Sequence, residues 1–414
     1  MQGVHRESFS LVLLGLLAAL TVALTAAGTW LARHEPIPAP QMLAEAVAPA
    51  PEPPAAIEPE SDNPLLDPNA TLVSDDLLAR PLTEDEKASM AAELDRLKTR
   101  HARQLVHVIA AASAERASPI PASLLLSIAF TETHGKVLAV SPAGAAGLAQ
   151  ATPAAYLMEG FEGPVFITNQ YLVGTRAYIM KKPLGDAVGI AKRVIEGEAG
   201  HSEALELLDS AQALRQVGMD ELEALVPRAP AVFLDRVQAA DVYNAAVLDE
   251  LEDLLIRRAP KSRLQAFHDR VRKEYRVLLR VQQVNWERYA DALTRERNKV
   301  LKAYFGGDPV KIVQQRPYEA GEVLGEQLDA RFSPTQMALF LSQHLSTKRQ
   351  QAIELGVPDD ELEAWTAALY NGGLVNITRM RAGLMTSIHE TQSYMRKVPD
   401  LRAKLEGAAS VTQS

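Results

Sequence analysis

Three hydrophobic regimes succeed one another along the chain. Ser10 to Ala32 is an almost unbroken apolar run, SLVLLGLLAALTVALTAAGTWLA, long enough to cross a bilayer as one helix. From about His34 the pattern is lost in a stretch rich in Pro, Ala and acidic residues, such as PAPEPPAAIEPE, which cannot bury enough apolar surface to fold. From Thr83 onward apolar residues recur at helical spacing almost to the end. Thr83 and Glu86 have capping-box spacing, and the periodicity predicts one long amphipathic helix to about Ala117 with Leu94, Leu97, Leu105, Val108 and Ile109 inward. Ser118 to Pro121 breaks it, and Pro121 suits the first turn of a second helix. A third strong pattern starts at Ser262 and Gln265, again at capping-box spacing, and runs to Phe305, where Gly306 and Gly307 stop it. Its apolar stripe (Phe267, Val271, Leu278, Val281, Trp286, Tyr289, Leu293, Val300) keeps no strict heptad, which favours packing inside its own domain over a coiled coil. The expected fold class is therefore mainly α.

The second helix carries one anomaly. Leu125, Ile128, Ala129 and Glu132 stand at i, i+3, i+4 and i+7, so a carboxylate continues the buried stripe. A desolvated carboxyl is suited to donate a proton near neutral pH. The chain then turns at Gly135 into a loop of small residues that ends at Gln150. Read alone, such a Glu is more often an ion-paired surface residue, and such a loop is more often an ordinary turn.

Composition narrows the function. The 414 residues carry a formal charge of −9 and no cysteine. The acidic balance argues against a nucleic-acid partner, and the lack of Cys removes disulfides, thiol nucleophiles and thiolate metal sites. The nine His form no HxxxH or HExxH pattern, so neither a metal nor another cofactor is expected.

The residues from Pro121 through SIAFTETHGKVLAVSPAGAAGLAQATP resemble the catalytic motif of the family 1 soluble lytic transglycosylases. These enzymes cleave bacterial peptidoglycan with a lysozyme-like helical domain. Glu132 matches the catalytic acid, Thr133 stands where the family has Ser, and Ser141, Gly144, Gly147, Leu148 and Gln150 match the loop. Ala149 replaces the usual Met, which the resemblance implies would reshape one saccharide subsite. Ile167 to Asn169, Gly174 and Tyr178 are similar to the helix after the loop. Two further motifs arrive only near the C-terminus: Tyr370, Asn371 and Gly373 match Ala-Tyr-Asn-x-Gly, and Glu390, Thr391 and Tyr394 match Glu-Thr-x-x-Tyr. Val242 to Ala245 mimics the first of these but lacks its Gly.

The resemblance implies a lysozyme-like catalytic domain split in two, residues 83–181 and 335–400, by a helical insertion at 182–334. A signal anchor at 1–33, a linker at 34–82 and a tail at 401–414 complete the organisation. It implies cleavage of the MurNAc-GlcNAc β-1,4 bond with a 1,6-anhydro product, Glu132 serving as acid and then base. Tyr394 would orient Glu132, while Ser141, Gln150, Tyr370 and Asn371 would line or brace the glycan groove and Glu390 would hold its own helix. Glu159 and Glu162 are the nearby alternatives for a second carboxylate. A goose-type-lysozyme-like hydrolase and an inactive glycan-binding scaffold are the competing functions. The expected partners are peptidoglycan glycan strands, the inner membrane through the N-terminal helix, and an envelope-complex protein through 182–334, with the catalytic domain in the periplasm. Thr25, Ala26 and Ala27 also fit a cleavage site. At about 3.1 Å per residue, the linker would span on the order of 100 Å.

Overall fold

The computed structural model describes residues 81–116, 118–223, 231–381 and 389–411, all within one compact unit. The apolar run at Ser10 to Ala32 and nearly all of the linker lie outside these residues. Among the described residues no helix is long and apolar enough to cross a membrane.

The described chain is helical and contains no strand. In order the helices are α1 (Glu84–Arg96), α2 (Ala102–Glu115), α3 (Ala122–Thr133), α4 (Pro153–Met158), α5 (Asn169–Glu196), α6 (His201–Glu223), α7 (Ala231–Ile256), α8 (Lys261–Phe305), α9 (Pro309–Gln315), α10 (Pro317–Gln327), α11 (Pro334–Glu354), α12 (Leu362–Arg381) and α13 (His389–Val411).

Local signals explain several of these boundaries. The Thr83 hydroxyl accepts from the Glu86 backbone N–H while the Glu86 carboxylate accepts from the Thr83 N–H, closing the capping box that starts α1. The single helix expected from Thr83 to Ala117 is in fact two. It breaks at Leu97–His101, where Lys98 adopts a left-handed conformation (φ 64°). The break lets α1 and α2 fold back on one another and bury Met90, Leu94, Leu105, Val106 and Ile109 together. The α8 start also differs from expectation. Pro260 is the N-cap, and the Gln265 side chain donates to Asp269 instead of capping. Its end follows expectation, with Gly306 as a left-handed C-cap.

Two long helices, α5 and α8, form the spine and pack against each other along their length. Gly174 lies against the Trp286 ring and Gly185 against Tyr275, so the two run antiparallel. A Cβ on Gly174 would sit 2.3 Å from the indole; the missing side chain is what lets the helices approach there. Around one end of the spine lies the main core, built from α1 to α4, the C-terminal half of α8, α10, α11 and α13. Around the other lies a second core of Leu184 to Val194, α6, α7 and the first turns of α8, which forms a helical lobe. A small third cluster joins Ala352 to α12.

The segment 182–334 thus contributes to both cores. Leu184 to Val271 fill the lobe, whereas Tyr289, Leu293, Leu301, Leu324 and Phe332 are buried in the main core. At the C-terminus, residues 401–411 are not a separate tail. They continue α13, burying Leu401, Leu405 and Ala409 in the main core. The Val242–Ala245 mimic sits inside α7, far in sequence from the loop it would have to serve, with Val242 69% exposed.

Candidate functional site

Helix α3 is apolar on every side, burying Leu124, Leu125, Leu126, Ile128 and Ala129, and it ends one residue past Glu132. His134 in a left-handed conformation and Gly135 (φ 75°) turn the chain away, leaving Glu132 half-buried on the last turn. Its carboxylate is met from the far end of the chain. The Tyr394 hydroxyl on α13 donates to Glu132 Oε1 at 2.8 Å, joining residues 262 positions apart. The Tyr394 ring stacks on Tyr370 of α12 with centroids 6.5 Å apart, and the Tyr370 hydroxyl donates to the Ala149 carbonyl of the loop. Thr391 donates to Asn371 Oδ1 at 3.0 Å, tying α13 to α12 beside a kink at Gly373. Tyr370 is held well above the ordinary phenol range by burial and by the nearby Glu132 charge, so it stays a neutral donor.

The loop between Val137 and Thr152 is folded on itself. Isolated antiparallel bridges join Val140 to Ala146 and Ala146 to Ala151. The Ser141 hydroxyl accepts from the Ala145 N–H, and the Gln150 amide donates to the Gly147 carbonyl at 2.9 Å. Thr133 donates to the Leu148 carbonyl, pinning the loop to the end of α3. Ser141, Gln150 and Thr133 therefore brace the loop, while Leu148 is wholly buried beneath it. The Ala149 methyl is 1% exposed within the main core, and its carbonyl accepts from Tyr370. Glu390 falls in the first turn of α13, and its side chain lies outside the described residues.

The strongest supports of the loop were not legible as site residues. Arg331, completely buried, donates to the Gly144 and Ala151 carbonyls at 3.0 Å each, to the Tyr289 hydroxyl at 2.7 Å and to both oxygens of buried Asp329. Burial alone would lower the Arg331 pKa, but the Asp329 charge raises it, so the guanidinium stays charged. Tyr289 in turn donates to the Phe166 carbonyl, and Arg297 on the same helix donates to the Leu138 carbonyl at 2.7 Å. Helix α8, the longest element beyond the loop, thus holds it at both ends. Gly147 shows how tight the fit is. With φ at 77°, a Cβ there would lie 1.7 Å from the Arg331 carbonyl oxygen. Gly147→Ala is expected to cost at least about 2 kcal/mol, since left-handed strain of about 1–2 kcal/mol adds to a clash with backbone that cannot move aside. Gly160→Ala, also left-handed (φ 76°) but with nothing nearby, should cost only the strain. Chemical denaturation of the two variants measures the difference.

Behind Tyr370 lies a second buried pair. His344 packs edge-on against the Tyr370 ring, and its Nδ1 lies 2.6 Å from Glu159 Oε1, while Thr347 donates to Glu159 Oε2. Burial holds His344 below its ordinary 6.5, so at neutral pH it is uncharged and donates Nδ1–H. Burial would raise Glu159, but the hydrogen bonds from His344 and Thr347 outweigh it and hold the carboxyl below its ordinary 4.5. Glu159, considered from sequence as a second carboxylate, is therefore engaged by α11. A depressed histidine gives stability that is fully present above its unfolded pKa and lost as pH falls. The fold should lose stability below about pH 6.5 through His344, and again below about 4.5 through Glu159. His344→Gln should flatten the first of these slopes in urea unfolding measured across pH and weaken the second, which then rests mainly on the hydrogen bond from Thr347.

Among the described residues no cluster of three His, Asp or Glu is placed to hold a metal ion. No family model, curated protein or solved structure matches the chain.

Proposed function

We propose that the chain is a peptidoglycan lytic transglycosylase with a lysozyme-like catalytic domain, anchored in the bacterial inner membrane and working on the periplasmic side. The observation that carries the reading is the 2.8 Å hydrogen bond from Tyr394 to Glu132. It supplies, from two distant segments, the one arrangement that single-carboxylate chemistry needs: a half-buried acid at a helix end, fixed in direction by a neutral donor.

In this reading Glu132 protonates the glycosidic oxygen between MurNAc and GlcNAc, and the bond to the MurNAc anomeric carbon breaks. The substrate's own N-acetyl group stabilises the cationic centre. Glu132, now a carboxylate, takes the proton from the MurNAc C6 hydroxyl, whose oxygen closes on the anomeric carbon as the 1,6-anhydro ring. The acceptor is already attached to the substrate, so neither a bound water nor a second carboxylate is required. In this reading the glycan lies beside the braced loop from Ser141 to Gln150 and the Tyr370–Asn371 segment, which the hydrogen bond from Tyr370 to the Ala149 carbonyl ties together.

The test is incubation of the purified chain with isolated peptidoglycan sacculi, followed by mass spectrometry of the soluble fragments. Muropeptides ending in 1,6-anhydroMurNAc, lighter by one water than hydrolytic products, are expected. A soluble fraction without glycan fragments contradicts the reading and leaves the glycan-binding scaffold as the better account.

A further inference from the structure

The lobe carries a surface that the site does not use. Between Ile256 and Gln283 the sequence has nine Lys or Arg against two Asp or Glu, in a chain whose overall charge is −9. The inner face of this part of α8 is taken up by Leu264, Phe267, His268 and Val271, which fill the lobe core. The outer face presents Arg272, Arg276 and Arg280 at i, i+4 and i+8, with Lys273 alongside, all exposed. The α7–α8 turn adds exposed Arg258 and Arg263. Both carboxylates of the segment are occupied by other partners: Asp269 accepts from Gln265 and pairs with His268, and Glu274 takes the Tyr243 hydroxyl and lies near Arg270. Among the described residues, Lys273, Arg276 and Arg280 form no ion pair. Interspersed with these cations are three exposed aliphatic side chains, Ile256 at 61%, Val277 at 62% and Leu279 at 40%.

We propose that this face of the lobe docks on an anionic phospholipid surface, with Arg272, Lys273, Arg276 and Arg280 on lipid phosphates and Ile256, Val277 and Leu279 entering the headgroup layer. Two observations and one expectation from the sequence favour lipid over an acidic protein. The cations are mostly arginines, whose forked guanidinium groups match phosphate. The aliphatic residues stand singly between them on the outside of a helix, an arrangement suited to shallow insertion with arginine stems lying along the acyl boundary. The expected bilayer helix at Ser10 to Ala32, on a linker shorter than fifty residues, would hold this surface near the membrane at high local concentration. The proposal does not depend on the enzymatic reading of Glu132.

Because the chain has no cysteine, Val277→Cys places a single thiol on this face for an environment-sensitive fluorophore. The labelled full-length chain is mixed with vesicles of phosphatidylcholine alone, or of phosphatidylcholine with phosphatidylglycerol. A blue shift of emission is expected with the anionic vesicles only, reversed by high salt. It should be lost on adding Arg276→Glu and Arg280→Glu, which alter exposed residues and should leave circular dichroism unchanged. An identical spectrum in both vesicle types, or no association with the anionic ones, would overturn the proposal. So would a blue shift already present without lipid, which would assign the face to a protein segment.

Discussion

Replacing Glu132 by Gln is expected to lower release of glycan fragments from peptidoglycan on the order of 10³-fold, the usual contribution of a positioned general acid. The amide has the size of the carboxyl, and its oxygen can still accept from Tyr394 at the 2.8 Å position, so the contact between α3 and α13 survives. What the proposed chemistry loses is a group that can give a proton to the leaving oxygen and take one from the C6 hydroxyl. Unfolding by urea should give the same midpoint as the unchanged chain, because Glu132 is half-buried and contributes no packing that Gln lacks. Full digestion by Glu132→Gln would remove this residue from the chemistry.

The second large effect is on stability. Arg331→Ala should destabilise the fold by about 3–5 kcal/mol, the cost of leaving a buried charge without its partner. Asp329 is itself wholly buried, so its carboxylate would have no access to water once the guanidinium is gone. The loss extends beyond the pair. The Gly144 and Ala151 carbonyls and the Tyr289 hydroxyl also lose the donor they share, and each buried polar group left unmade adds to the cost. Replacing Asp329 and Arg331 together should cost less than the sum of the two single changes, because the stranded charge disappears. The orphaned carbonyls keep the double variant less stable than the parent. A double-mutant cycle in urea measures this coupling. The proposed activity should fall with Arg331→Ala even where the fold persists, since the loop from Ser141 to Gln150 loses its anchor.

These two residues mark the limits of what the chain discloses before folding. Glu132 was legible because it interrupts a local pattern: an acid at i+7 of an apolar stripe is visible within eight residues. Tyr394 and Tyr370 were legible only through motif resemblance, since nothing in their local spacing tells a core tyrosine from one that meets a carboxylate 262 positions away. Asp329 and Arg331 left no signal at all. Two opposite charges at i, i+2 read as a solvated turn, and their burial arises from elements far apart in sequence, the loop at Gly144 and helix α8 at Tyr289.

The same contrast holds for the fold. The capping box at Thr83 and the stop at Gly306 are local chemistry and were readable. The break at Lys98 has no Pro or Gly to announce it; it is imposed by the packing of α1 on α2 and α13. The double duty of α8 was hidden for a related reason. One drifting apolar stripe serves the lobe core in its first turns and the main core from Tyr289 onward, and sequence periodicity does not say where the partner changes. Ala149 stood out in the sequence only as a departure from the motif; that its carbonyl takes the Tyr370 hydroxyl depends on α12 and left no local signal.

In the proposed mechanism Glu132 works alone, with the substrate's own hydroxyl as acceptor. Digesting peptidoglycan sacculi in water enriched in heavy oxygen tests this directly. Single-carboxylate chemistry gives soluble fragments ending in 1,6-anhydroMurNAc that carry no heavy oxygen, because no water enters the bond that forms. Fragments with a reducing MurNAc end carrying one heavy oxygen would contradict it and identify a hydrolase.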